Sequence, residues 1–176
     1  MLKNIYLGLA IFSLLLSQNI WGNSSTATSD DLNAFEFNPA GLGVNRGDID
    51  GLFIKPDSNG KINKNSILYS ASISNGFGLS MGINRGTKIF QSKTYPDLKI
   101  GYGSKIEKNL YFGITLDNMK NLNSGILWRP HKSLSIGYTE FYNDYSNLEF
   151  STLGIALRPL LNHRLTLGFD YKKFEQ

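Results

Sequence analysis

The chain of 176 residues contains no cysteine and only two histidines. Without cysteine it can form no disulfide framework, carry no thiolate nucleophile and hold no lipid through a cysteine. His131 and His163 both follow Arg-Pro pairs in segments typical of turns, and neither has further ligands at metal-binding spacing. The sequence therefore predicts no metal site and no cofactor.

The sequence also lacks concentrated charge of one sign. The formal net charge is +4, and the lysines and arginines are scattered. There is no basic stripe with interleaved aromatic residues of the kind that binds nucleic acid. Asp48 and Asp50 share a strand face but do not by themselves make a paired-carboxylate active site. No nucleic-acid partner is expected.

A complete nucleotide-binding or hydrolase motif is also missing. Residues 78–82 read GLSMG and match the G-x-S-x-G pattern, but a nucleophile elbow needs a strand, a sharp turn and then a helix. Here the match lies inside an alternating segment that directly follows Asn75 and Gly76. The glycine pairs at residues 41–43 and 101–103 lack the full dinucleotide fingerprint. We therefore predict that the protein is not an enzyme.

Long apolar runs are confined to the N-terminus. Residues 5–16 are uncharged and largely apolar, Lys3 precedes them, and the small Gly22 follows. The run is shorter than the roughly 20 residues that span a membrane as a helix. It predicts a signal peptide at residues 1–22, with a retained signal anchor or a buried helix as alternatives. If the mature chain enters a membrane, it must do so as strands, and the cell outer membrane becomes the expected location.

Alternation of apolar and polar side chains dominates the rest of the sequence. Period two gives a strand one apolar and one polar face, so the fold class is expected to be all-β, an antiparallel meander of about nine or ten strands. Residues 86–96 are expected to form a loop that can hold one short strand. The predicted strands cover residues 47–55, 66–74, 77–83, 98–106, 109–118, 121–130, 133–142, 148–158 and 164–174.

Turn residues lie between these strands, and glycines occur within them. Asn75-Gly76 is a strong signal for a two-residue hairpin, since both central residues of a type I′ turn need positive φ. Gly113, Gly137 and Gly168 lie near mid-strand, where a glycine lets a sheet bend and coil. The pattern favours a β-barrel or partial barrel formed by residues 47–176.

The region before the strands, residues 23–46, has two parts. Residues 23–31 are rich in Ser, Thr and Asp and predict a disordered lead-in. Asn38, Pro39 and Gly41 then predict a turn that folds a Phe-bearing segment back into a lumen. An ordinary turn leading into the first strand is the alternative.

Two parts of the sequence resemble known families. Residues 30–43, DDLNAFEFNPAGLG, are similar to the N-terminal element of fatty-acid-transporter-type outer-membrane barrels, an element that lies inside the barrel lumen. Residues 128–137 and 157–171 resemble the barrel-like region that precedes the protease in some large bacterial signal peptide peptidase A proteins. The resemblance implies an outer-membrane barrel with a short lumen segment. No peptidase motif with Ser and Lys is matched, so protease activity is not implied.

The function predicted from the sequence is a non-enzymatic outer-membrane β-barrel protein that contacts lipid and acts as a pore, a hydrophobic-solute conduit or a scaffold. An N-terminal fragment of a signal peptide peptidase A-type protein without its protease domain and a secreted soluble β-sandwich are the alternatives. Nine or ten strands are fewer than fatty-acid transporters have, so a second subunit or copy that completes the barrel is also considered. Closure by the chain alone would require residues 47–55 to pair with residues 164–174.

Overall fold

The computed structural model describes residues 25–44, 47–55, 60–62, 67–84, 97–160 and 165–175. The predicted signal peptide and the uncertain segment at 86–96 lie outside these residues. Two short 3₁₀ helices, Leu32–Phe35 and Pro39–Gly43, come first. Nine strands follow: β1 (Ile49–Lys55), β2 (Ile67–Ser74), β3 (Phe77–Asn84), β4 (Asp97–Glu107), β5 (Leu110–Asp117), β6 (Asn121–His131), β7 (Leu134–Asn143), β8 (Asn147–Leu157) and β9 (Leu167–Phe174).

The nine described strands form one sheet in the order of the chain, and each strand is antiparallel to the next. β1 and β9 are the two edges and do not pair with each other, so the sheet is an open, partial barrel. The all-β meander predicted from the alternating pattern is confirmed. The pairing of residues 47–55 with 164–174 that self-closure requires is not formed.

Tight turns connect several of the strands. Asn75 and Gly76 have φ angles of 50° and 83°, as the type I′ prediction requires. Two-residue turns also join β4 to β5 and β6 to β7, at what we call the first end of the sheet. Three-residue turns at residues 118–120 and 144–146 lie at the second end. Short turns between consecutive strands make neighbours in sequence neighbours in the sheet.

Pro130 lies inside β6, near its end. Proline cannot donate a ladder hydrogen bond, and the β6–β7 register shifts between Trp128 and His131. The strand therefore passes Pro130 with an irregularity instead of ending there.

The two faces of the sheet differ in residue size and polarity. We call the outer face the one whose large apolar side chains are exposed; every strand except β2 contributes to it, with Phe77, Leu79, Ile114, Trp128 and Phe169 between 37% and 69% exposed. The inner face carries mostly glycine, serine and threonine, and Ser80 and Thr115 are each 2% exposed, but it also holds the buried Tyr69, Ile73 and Leu127. A water-soluble sheet would bury its large apolar side chains, so this distribution is inverted.

Residues 25–44, which we call the inner segment, cover the inner face. Their apolar side chains make the core with two residues of β2, namely Leu32, Ala34, Phe35, Leu42, Ala71 and Ile73. Composition predicted a disordered lead-in at residues 23–31, but the structure instead places Thr26, Ala27 and Ser29 in buried positions. Contacts with the sheet order a stretch whose own composition favours disorder.

Candidate functional site

Glycines from successive strands form a groove across the inner face. Gly78 is paired with Gly101, Gly103 with Gly113, Gly113 with Gly125, and Gly137 with Gly154. We call these residues, Gly78, Gly101, Gly103, Gly113, Gly125, Gly137 and Gly154, the glycine groove. A Cβ atom added at any of them would overlap an atom of the inner segment or, at Gly154, also the Asp170 carboxylate. At Gly103, Gly113 and Gly137 the overlapping atoms are backbone atoms of the inner segment, so glycine is required there because another part of the chain approaches closely.

Of the three mid-strand glycines noted in the sequence, Gly113 and Gly137 lie in this groove and Gly168 does not. A Cβ on Gly113 would meet the carbonyl of Pro39, and one on Gly137 would meet the carbonyl of Thr26. Gly168 lies at the margin, where the nearest atoms are 3.3 Å away in the side chain of Ser25. Their position on the polar face was visible in the sequence. The groove was not, because it depends on cross-strand register.

Asn38 connects the inner segment to the sheet. It is fully buried, and its Nδ2 donates to the carbonyl oxygens of Thr26 at 2.8 Å and of Ile126 in β6 at 3.0 Å. Its Oδ1 accepts from the backbone N–H of Ala40 at 3.0 Å and so caps the second 3₁₀ helix. A buried amide that is satisfied in this way fixes the position of the turn.

Pro39 and Gly41, the other two residues predicted to make the turn, lie next to Asn38. Pro39 is the first residue of the second 3₁₀ helix, where its missing N–H costs nothing. A Cβ on Gly41 would overlap the carbonyl oxygen of Ser29. Gly41 therefore allows the two halves of the inner segment to pack against each other, and the segment lies on the inner face as the lumen prediction requires.

Ion pairs tie the middle of the inner segment to the sheet. Arg129 Nη2 in β6 lies 2.8 Å from Asp30 Oδ2, with side chains only 15% and 8% exposed. Lys99 in β4 pairs with Glu36. Charged hydrogen bonds shielded from water are stronger than exposed ones. Sequence reasoning missed both pairs, since the partners are 99 and 63 positions apart.

The start of the inner segment is held by hydrogen bonds to β7 and β9. Asp170 Oδ2 in β9 accepts from the Thr26 backbone N–H at 2.9 Å and from its hydroxyl at 3.3 Å. Ser135 Oγ in β7 donates to the carbonyl of Ala27 at 2.6 Å. The segment thus spans the inner face from β9 to β2.

A cavity of about 550 Å³ lies beside the inner segment, towards the second end of the sheet. Most of its lining residues are polar, among them Asn121, Asn123, Thr139, Asp170 and Lys172, but apolar atoms make up slightly more than half of the cavity surface. The side-chain oxygens of Asn121 and Asn123 are shielded and accept no hydrogen bond from the described residues.

Aromatic rings form part of the same wall. Phe141 and Phe150, which are cross-strand partners, stack with centroids 5.0 Å apart and planes 5° from parallel. The ammonium of Lys172 lies 3.3 Å from the centroid of Phe150, within the range of a cation–π contact. Phe174 continues the row with its centroid 5.9 Å from that of Phe150. The cavity can therefore contact a solute through ring faces as well as through polar atoms.

The other residues considered for chemistry lie apart from this cavity. Ser80 is in the middle of β3, paired with Ala71 and Lys99, so its segment is a regular strand as predicted. His131 is exposed at the end of β6, with Nδ1 2.7 Å from Ser133 Oγ. His163 lies outside the described residues. Across the described ranges, no three His, Cys, Asp or Glu side chains are close enough to share a metal ion.

In the part of the chain that the structure describes, no helix has the length and apolar character needed to cross a membrane. No protein-family model matches the chain, and no match to it was found among curated proteins or solved structures.

Proposed function

We propose that this protein is a non-enzymatic β-barrel wall of the outer membrane, with lipid on its outer face and an aqueous, partly plugged lumen on its inner face. The observation that carries this proposal is the inverted distribution of side chains. Large apolar residues of eight strands are exposed on the outer face, whereas the inner face, under the inner segment, consists mostly of small and polar residues.

Lipid is the environment that best suits the outer face. Soluble monomers rarely expose contiguous apolar patches larger than a few hundred Å². Here eight of the nine described strands contribute exposed large apolar side chains. β4, β6, β7 and β8 have 10 or 11 residues, the length of a tilted strand that crosses the hydrocarbon layer.

The inner face suggests which solutes such a barrel would accommodate. The cavity wall carries Asn, Thr, Asp and Lys side chains beside its phenylalanines. Desolvating these polar groups without new hydrogen bonds would be costly, which disfavours a purely apolar occupant. Among the predicted roles, passage or retention of a solute that carries both polar and apolar groups therefore fits better than a conduit for purely hydrophobic solutes.

The soluble β-sandwich alternative needs a second sheet over the outer face. The described residues form a single sheet, so none of them covers that face. No described feature bears on the peptidase-fragment alternative, which stays a prediction.

Tryptophan fluorescence provides a direct test. The chain has two tryptophans, and Trp128 lies on the outer face with 46% of its surface exposed. With Trp21→Phe, Trp128 is the only tryptophan, and we expect brominated lipids to quench its emission in reconstituted vesicles. A matched control moves the tryptophan to the inner face, by Trp128→Phe with Phe141→Trp in the same background; iodide should then quench more strongly than brominated lipid.

Membrane fractionation gives the independent readout. The mature protein should stay with the membranes after a carbonate wash. Recovery as a monodisperse protein in buffer without detergent, with no quenching by brominated lipid, would contradict the proposal and favour the sandwich.

A further inference from the structure

The two edges of the sheet need a partner if the protein lies in a membrane, so the following inference rests on the proposed function. Among the described residues, β1 and β9 each have one neighbouring strand, so no described residue pairs with the backbone N–H and C=O groups along their free sides. In hydrocarbon each unsatisfied backbone group costs several kcal/mol, and membrane strands therefore occur in closed barrels. A membrane role requires that both edges find a partner.

The two edges carry only part of the usual protection of an exposed strand. Proteins blunt free edges with proline, bulges, short strands and charged side chains, especially lysine. β1 is the shortest described strand, and β9 carries Lys172 and Lys173 towards its end. Neither strand contains proline, and their registers with β2 and β8 run without a shift.

The outward side chains of both edges are large and apolar. They are 42% to 69% exposed, namely Leu52, Ile54, Leu167, Phe169 and Tyr171. The apolar outer face therefore continues up to both edges.

The contents of the inner face argue against closure by nine strands alone. A barrel of eight strands has an interior that its own side chains just fill. Here the inner face holds the 20-residue inner segment and, beside it, the cavity of about 550 Å³. A ring of nine strands has an interior only slightly wider, with little room for both the segment and the cavity. Barrels of 16 to 18 strands leave an aqueous channel, which gives room for both.

Strand direction determines how a second copy can fit. In an antiparallel meander of nine strands, the first and last run the same way, so β1 and β9 are parallel to each other. A second copy inserted with the same orientation therefore presents its β9 parallel to β1 and its β1 parallel to β9. A copy in the opposite orientation would pair antiparallel, but it would place its first end on the other side of the membrane.

We infer that two copies of this chain close an 18-stranded barrel through two identical parallel seams, each formed by β1 of one copy and β9 of the other. Rotation by half a turn about the barrel axis relates the copies. The shared lumen then contains both inner segments. The partner is thus a second copy of this chain, and it binds by main-chain pairing along the free edges.

The absence of cysteine makes the seam measurable by cross-linking. Two differently tagged copies are co-expressed, one with Leu52→Cys or Ile54→Cys and the other with Leu167→Cys, Phe169→Cys or Tyr171→Cys. Membranes are then treated with a lipid-soluble oxidant. A disulfide needs Cβ atoms about 3.5–4.5 Å apart, so a dimer carrying both tags should form strongly for the pairings that lie in register. Ile114→Cys, on the outer face of the central β5, is the control and should cross-link to neither edge.

The same pairs placed in one chain decide between closure alone and closure with a copy. If a double variant such as Leu52→Cys with Phe169→Cys forms only an intramolecular disulfide, so that no dimer appears, a single chain closes and the inference is overturned. Absence of any cross-link in carbonate-washed membranes would overturn it as well, while leaving the membrane proposal intact. Failure of the protein to reach the membrane would instead remove the proposed function, and this inference with it.

Discussion

The carbonyl of Pro39 lies where a methyl group on residue 113 would have to be. Single residues such as Gly113 therefore determine whether the inner segment can pack against the inner face. The obstructing atoms belong to the backbone of the inner segment, so they cannot rotate away as a flexible side chain would. A single added carbon must therefore move the segment or the strand.

We expect Gly113→Ala to lower the free energy of unfolding by about 1–3 kcal/mol, the usual cost of overpacking a close contact. Gly168→Ala is the matched control, because the nearest atoms there belong to the Ser25 side chain at 3.3 Å. Its effect should stay below about 1 kcal/mol. Urea unfolding of the protein folded in detergent or lipid measures both, and equal losses at the two positions would contradict the close-approach account.

At the scale of single residues, the sequence predicted the turn of the inner segment but not its contacts with the sheet. Asn38, Pro39 and Gly41 were found because a turn is encoded by residues adjacent in the chain. Asp30 with Arg129 and Thr26 with Asp170 were not, since 99 and 144 positions separate them. Such pairs depend on the register of every strand between them, which no local pattern records.

At the scale of elements, the strands were the most predictable part of the protein. Alternation is a local property of a strand and needs no knowledge of its partners, and the Asn75-Gly76 turn then fixes the β2–β3 register. The inner segment was less predictable, because its polar composition favours disorder until the sheet supplies partners. Its order is a tertiary effect, and the ion pair between Asp30 and Arg129 is one of the contacts that hold it.

Arg129→Met tests this ion pair. It removes the charged hydrogen bond between Arg129 in β6 and the Asp30 carboxylate, which is 8% exposed. We expect a loss of about 1.5–3 kcal/mol of stability, the usual contribution of a hydrogen bond to a charged group, together with faster proteolysis of residues 25–44. Lys120→Met provides the comparison, because Lys120 and Asp144 are 64% and 55% exposed and such pairs contribute about 0–1 kcal/mol. Similar losses from the two variants would show that the Asp30 pair does not hold the segment.

At the scale of the whole molecule, the proposed membrane location rests on the inverted faces of the sheet. The alternating pattern predicted two different faces but not which of them would be covered. That depends on the inner segment, which lies on the polar face and leaves the apolar one exposed.

Ile114→Lys places a charge at the middle of the outer face. In a bilayer it should destabilise folding by about 2–4 kcal/mol, the cost of a lysine near the midplane. Met119→Lys, in the exposed β5–β6 turn, should change stability by no more than about 0.5 kcal/mol. Folding equilibria in lipid vesicles compare the two. An Ile114→Lys variant as stable as wild type would indicate that water, not lipid, contacts this face.

The hydrogen bonds between Thr26 and Asp170 also have a consequence for the order of folding. Residues 25–44 precede all nine strands in the chain, yet their binding surface is complete only when β9 has joined the sheet. Closing a loop of this length is a slow, late event compared with forming a hairpin. The inner segment must therefore stay exposed to water until β9 has joined the sheet. Its Ser, Thr and Asp side chains keep it soluble at that stage of folding, and they form hydrogen bonds to the sheet in the folded protein.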